Sequence, residues 1–153
     1  MIILDTNVVS ELLRPAPSPA VEAWLAAQDG ATVFFTAIGE AELRLGVAIL
    51  PAGRRRTSLA EAVDAMLEED FRDRILPFDT AAAQAYVAIA ATRRAAGRPI
   101  SQFDCQIAAI AHIRQAVLAT RNTVDYEDCG IEVINPWGEI GDGSELPTSD
   151  LGS

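Results

Sequence analysis

Short apolar runs alternating with helical stretches predict an α/β protein with a mainly parallel central sheet covered by helices on both faces. Strand-like runs stand at Ile2–Leu4, Thr32–Thr36, Arg74–Phe78, Val117–Thr120 and Glu132–Ile134. Helix starts are legible between them, and no internal repeat competes with this reading. The first run stops at Asp5, where the chain turns toward a helix. Ser18 precedes Pro19, a residue suited to a first helical turn. "PAGRRR" at 51–56 reads as an exposed basic loop, after which Ser58 and Glu61 form a capping box. Asp79 or Thr80 caps the alanine-rich helix that ends near Gly97. "GDGSELPTSDLGS" reads as a frayed tail. The expected organisation is one domain over residues 1–137 and an acidic, flexible tail over 138–153.

The length of 153 residues suits a single domain that buries roughly 70% of its unfolded surface. With 50% apolar and 22% charged residues the chain is globular rather than disordered. No apolar run approaches the ~18 residues of a membrane helix, and the N-terminus lacks the basic start of a signal peptide. Cys105 and Cys129 have no metal-ligand spacing and read as free thiols of a reducing cytoplasm. The net charge is −10, and four acids with no base follow Trp137, leaving −6 on the body. That balance excludes a generic nucleic-acid coat, though not an enzyme that touches a nucleic acid through a metal and a few arginines. All twelve basic residues are arginine, so chemistry that needs lysine is excluded: P-loop phosphate binding, Schiff bases and phospho-aspartate machinery.

In open α/β sheets ligands bind beyond the carboxyl ends of the strands. Asp5 and Asn122 both lie just past such ends and are expected at one crevice. Taken alone, Asp5 reads as an N-cap that satisfies the amides near Val8. In "AIGEAELRLGVAIL" Glu42 shares helical spacing with Ile38, Leu45 and Ile49, an apolar stripe that would turn it toward the core. Glu40, by contrast, pairs with Arg44 on a solvated face. An inward carboxylate must be paired, protonated or bound to a metal, so Glu42 has either a distant arginine or a site. Asp104 shares a face with Ile107, Ala108 and Ala111, and Ser101 before it makes a capping box; that helix N-terminus would also attract a phosphate. Asn122 and Asp125 singly are ordinary turn residues. Together, several unneutralised acids in one place call for a divalent cation. An oxygen-only donor set favours Mg²⁺, or Mn²⁺. His112 is the one histidine, which argues against zinc, histidine-pair ribonuclease chemistry and a Ser-His-Asp triad.

"MIILDTNVVSELLRP", "AELRLGVAIL", "DCQIAAIA" and "ATRN…VINPW", in this order and spacing, resemble the PIN-domain ribonuclease toxins of the VapC group, most nearly the FitB-like members. The resemblance runs to Trp137. It implies a three-layer α/β/α PIN-like domain, a homodimer, and Mg²⁺-dependent RNA cleavage. It also implies a small antitoxin that blocks the site and alone mediates DNA contact. Asp5, Glu42 and Asp104 match the family's acidic positions, and Thr6 its site hydroxyl. The fourth acidic position falls on Asn122, which offers a carbonyl oxygen but no charge; Asp125 stands near enough in sequence to compensate.

The expected mechanism is metal-assisted phosphodiester hydrolysis. Asp5 and Asp104 hold Mg²⁺, Glu42 holds the ion or orients the attacking water, and Thr6 positions a phosphate or a water ligand. Arg54, Arg55, Arg56, Arg93, Arg94 and Arg98 are candidates to grip flanking phosphates. The antitoxin is expected to present a basic peptide whose arginine pairs with Asp5 and Glu42 in place of the metal. Two other readings compete: a PIN-fold binding module with a weak or dead site, and an aspartate-nucleophile phosphohydrolase built on Asp5. The second lacks its usual lysine and has Asn7 where such enzymes place a second Asp.

Overall fold

The computed structural model describes residues 1–138; the expected tail therefore lies outside the described residues from position 139 onward. Five strands, β1 (Ile2–Leu4), β2 (Val33–Thr36), β3 (Ile75–Leu76), β4 (Val117–Ala119) and β5 (Glu132–Ile134), form one sheet in the order β3-β2-β1-β4-β5. Every pairing is parallel, with Ile3 opposite Phe34 on one side and Leu118 on the other. Six α-helices flank it: α1 (Thr6–Leu12), α2 (Pro19–Ala26), α3 (Ala37–Ala48), α4 (Arg54–Ala65), α5 (Thr80–Ala95) and α6 (Gln102–Arg114). The fold is PIN-like α/β, as the sequence predicts.

Successive strand residues face opposite sides, and this splits the interior into two cores. Ile3 and Leu118 pack with Ile107, Ala108 and Ile110 of α6 and with Ile89 of α5. Leu4, Ala119, Val33 and Phe35 face the other way, against Val8 and Val9 of α1, Leu43 and Val47 of α3 and Val63 of α4. Three-residue strands suffice because both faces are covered, so nearly every strand residue is apolar. Gly39 has a packing role: a Cβ there would come within 2.4 Å of the buried Phe35 ring. Its absence lets α3 lie directly on β2.

Two caps match the sequence. Ser18 Oγ accepts from the Val21 N–H with Pro19 at the first helical position, and Asp79 caps α5 by accepting from Ala82 N. The capping box at Ser58 and Glu61 does not form. Helix α4 already begins at Arg54, after Gly53 at φ 151°, so Ser58 and Glu61 lie inside it and "RRR" is its first turn rather than a loop. Gly53 supplies a backbone conformation that side-chain-bearing residues rarely adopt, and this starts the helix five residues earlier than a Ser58 cap would. Cys105 and Cys129 are free and buried. His112 bonds Gly130 O through Nδ1 (3.2 Å), at a cavity distinct from the acidic one.

Candidate active site

The carboxyl ends of β1 and β4 open onto a cavity of about 490 Å³ bordered by Asp5, Thr6, Glu42, Asp104 and Asn122. Asp5 is the N-cap of α1, as its place after a strand suggests, and is only 5% exposed. Its Oδ1 accepts from Thr6 N (2.8 Å). Its Oδ2 accepts from Thr120 Oγ1 (2.8 Å) and from the Tyr126 hydroxyl (3.0 Å). Thr120 Oγ1 in turn accepts from Asn7 Nδ2 (3.3 Å) and from the Asn122 N–H (3.1 Å). Cap and site acid are therefore the same residue.

Glu42 does not point into the core along the expected stripe. The buried residues of α3 are Gly39, Leu43 and Val47, whereas Leu45 and Ile49 are 55% and 73% exposed. The buried face runs through Gly39, Leu43 and Val47, with Ile38 partly buried at its edge. Glu42 is half-buried at the edge of that face, and its Oε1 accepts from Thr6 Oγ1 (2.7 Å). Asp104 lies in the first turn of α6, where its N–H donates to Ser101 Oγ (3.2 Å). Its Oδ1 accepts from the Tyr126 hydroxyl (3.1 Å). Two hydroxyls thus link the site: Thr6 contacts Glu42, and Tyr126 contacts both Asp5 and Asp104.

Electrostatics confirm the convergence. Burial raises the Asp5 pKa above 3.8; hydrogen bonds from Thr120, Thr6 and Tyr126 oppose the shift, and the charge of Asp104 adds to it. Burial likewise raises Glu42 above 4.5, against the Thr6 hydrogen bond, with the charges of Asp5 and Asp104 adding. Glu11, also on the cavity wall, differs. Its pKa is lowered by the Ser18 N–H and then by Arg14, so it joins α1 to the start of α2.

Among the described residues no three His, Cys, Asp or Glu side chains stand close enough to wrap a metal ion by themselves. The donor set is carboxylate oxygen, with Asp104 Oδ2 and Glu42 Oε2 free of hydrogen bonds among the described contacts. That fits Mg²⁺, which keeps several waters and takes only one or two carboxylates.

Several expectations about neighbouring residues are corrected. Asn122 borders the cavity, but Asp125 does not; the Asp125 carbonyl is instead held by Arg93. Arg93 is 5% exposed and donates to backbone carbonyls, so it meets no phosphate. Arg98 is paired with Glu127 and Asp128, and Arg56 donates to Leu50 O. The arginines at the cavity are Arg14 and Arg121, the latter with its guanidinium 4.8 Å from the Trp137 ring centre. Tyr126 and Thr120 went unread in the sequence. The available signals were a tyrosine inside the turn "NTVDYED", which needs a polar partner if buried, and a threonine at the carboxyl end of a strand.

The chain was compared with known proteins. The family profile described as PIN domain matches residues 2–127. The VapC ribonuclease Y4jK of Sinorhizobium fredii is 42% identical over 137 residues, covering 90% of this chain and 98% of that protein. Toxin FitB of Neisseria gonorrhoeae is 42% identical over 137 residues, covering 90% and 99%. The crystal structure of FitAcB from Neisseria gonorrhoeae superposes with a TM-score of 0.84 at 42% identity, covering 90% of this chain and 99% of that one. A match of this extent in sequence and fold makes this protein a member of the PIN-domain family, within its VapC and FitB group.

Proposed function

We propose that the chain is a Mg²⁺-dependent endoribonuclease, able to use Mn²⁺, and the toxin of a type II toxin–antitoxin pair. One observation carries the reading: Asp5, Glu42 and Asp104, from three separate elements, meet at one cavity where only hydroxyls and a backbone amide partner them. Asp5 and Asp104 would hold the ion, with Glu42 sharing it or orienting the attacking water. Bound there, the cation would lower the pKa of water and offset charge on the phosphate. Thr6 fixes the Glu42 carboxylate and stands where a phosphate oxygen or a water can be held. Asn122 offers an uncharged oxygen at the fourth position. Arg14 and Arg121, at the same cavity, are placed to meet flanking phosphates.

The test is RNA cleavage in Mg²⁺ by wild type and Asp5→Asn. A loss of at least about a hundredfold is expected for a metal ligand; full activity in the variant removes Asp5 from the mechanism. The uncharged Asn122 favours a second reading, a PIN-fold module with a weak site, which predicts metal binding without cleavage. An aspartate nucleophile is disfavoured because the chain has no lysine and carries Asn7 where such enzymes place a second Asp.

The proposed nuclease unit is residues 1–137; relatives that align over 90% of the chain support a single unit of about this size. An antitoxin partner is supported by the FitAcB likeness and by an apolar cavity lined by Leu13, Pro15, Leu43, Val47 and Leu59, which shares Ser10 and Arg14 with the acidic one. A homodimer is supported by the exposed Leu45 and Ile49 of α3 and Val87 of α5. Light scattering on Leu45→Glu/Ile49→Glu, expected to be monomeric, tests it. Among the described residues no helix is long and apolar enough to cross a membrane; with free thiols, a cytoplasmic site of action is the reading proposed.

A further inference from the structure

We infer that the Tyr126 hydroxyl is a positioning group: it holds Asp5 and Asp104 as a preset pair for the cation, and Arg93 holds Tyr126 in turn. The inference rests on the metal-site reading above and concerns residues that do not themselves ligate.

Asp5 and Asp104 reach the cavity from opposite directions, one from the end of β1 and one from the first turn of α6. Asp5 is fixed by Thr6 N and Thr120 Oγ1, whereas the Asp104 carboxylate takes no hydrogen bond but that of Tyr126 among the described contacts. Like charges so placed repel, and the charge of Asp104 is felt at Asp5. One group touches both. The Tyr126 phenol is 2% exposed, and its oxygen lies 3.0 Å from Asp5 Oδ2 and 3.1 Å from Asp104 Oδ1. A single phenolic hydrogen serves two anions, and both are held within reach of it. Engaging Oδ1 of Asp104 leaves Oδ2 free of hydrogen bonds among the described contacts. The phenol thereby orients an acid while leaving an oxygen for the ion, as groups behind metal ligands do.

Tyr126 closes a single 3₁₀ turn, Thr123–Tyr126, which by itself is too short to fix a side chain. Arg93 of α5 supplies the restraint. Its Nη1 donates to the carbonyls of Asp125 (2.8 Å) and Glu127 (3.1 Å), the residues immediately before and after Tyr126, and to Cys129 Sγ (3.5 Å). Its Nε donates to Arg98 O (2.7 Å), anchoring the far side. Among the described residues no carboxylate pairs with this buried guanidinium. Its partners are the backbone that carries the tyrosine.

The test is calorimetric titration of Mn²⁺ into the full chain without RNA, beside thermal unfolding of the same samples. Tyr126→Phe keeps the ring and removes only the hydroxyl; Arg93→Lys keeps a charge but loses the planar group that reaches Asp125 and Glu127 through Nη1 and Arg98 O through Nε. Tyr126→Phe is expected to bind Mn²⁺ about tenfold more weakly than wild type, and Arg93→Lys to weaken it in the same direction. Arg93→Lys carries the comparison should Tyr126→Phe fold poorly. Variants that melt earlier yet bind Mn²⁺ as tightly as wild type, or more tightly, overturn the inference and leave these residues a purely structural role. Wild type that takes up no Mn²⁺ overturns instead the metal-site reading beneath it.

Discussion

Two polar regions meet at Tyr126, and they are satisfied in opposite ways. On one side Arg93 is buried, but its donors end on three backbone carbonyls and a thiol. On the other side Asp5 and Glu42 are partnered by hydroxyls and one amide, and both are pushed toward protonation by burial and by neighbouring acids. The first region is complete within the chain. In the second, Arg14 and Arg121 border the cavity, yet among the described contacts no cation pairs with Asp5, Glu42 or Asp104. A fold can keep the first for stability alone, whereas the second costs stability and makes sense where a ligand completes it.

The strongest way to break the contrast is at its satisfied half. Arg93→Met strands the carbonyls of Arg98, Asp125 and Glu127, whose bonds are part-buried, and at the low end of 1–3 kcal/mol per unmet group the expected loss is about 3 kcal/mol in urea unfolding. Glu42→Gln tests the incomplete half. It keeps an acceptor for Thr6 and removes one of the repelling charges, so without metal it should melt a degree or two higher while RNA cleavage falls at least about tenfold.

The pH dependence sharpens this further. Folded Asp5 and Glu42 hold their protons more tightly than the unfolded chain does near 3.8 and 4.5. Their contribution to stability therefore falls as pH rises from those values through the raised folded ones. Denaturation across that window should show the gap between Glu42→Gln and wild type widening as pH rises, and saturating Mn²⁺ should narrow it. The smallest effect belongs to Arg98→Ala. It removes exposed pairs to Glu127 and Asp128 on the same loop, and a change under about 1 kcal/mol is expected.

Much of the frame was readable residue by residue. All five strand runs are strands, and Asp5, Ser18, Asp79 and Ser101 cap the helices that follow them. The misreadings have particular causes. Glu42 was assigned by helical periodicity to a stripe with Leu45 and Ile49, but apolar exposed residues blurred which face is buried. Ser58 gave a correct local signal that an earlier glycine pre-empted. Arg93 reads in sequence as a candidate phosphate contact because its true acceptors lie on a loop 32 and 34 residues away.

The sequence by itself determined the strands, most helix starts and the identities of the acids, because alternation, helical period and capping act over a few residues. It also determined what chemistry was absent, since a chain without lysine cannot supply one. Tertiary structure alone decided that Asp5, Glu42 and Asp104 share a cavity with Tyr126, and that Arg93 lies beneath the loop. Parallel strand order brings the ends of β1 and β4 together from 115 positions apart. Interactions over that separation depend on how layers stack, which no local pattern encodes.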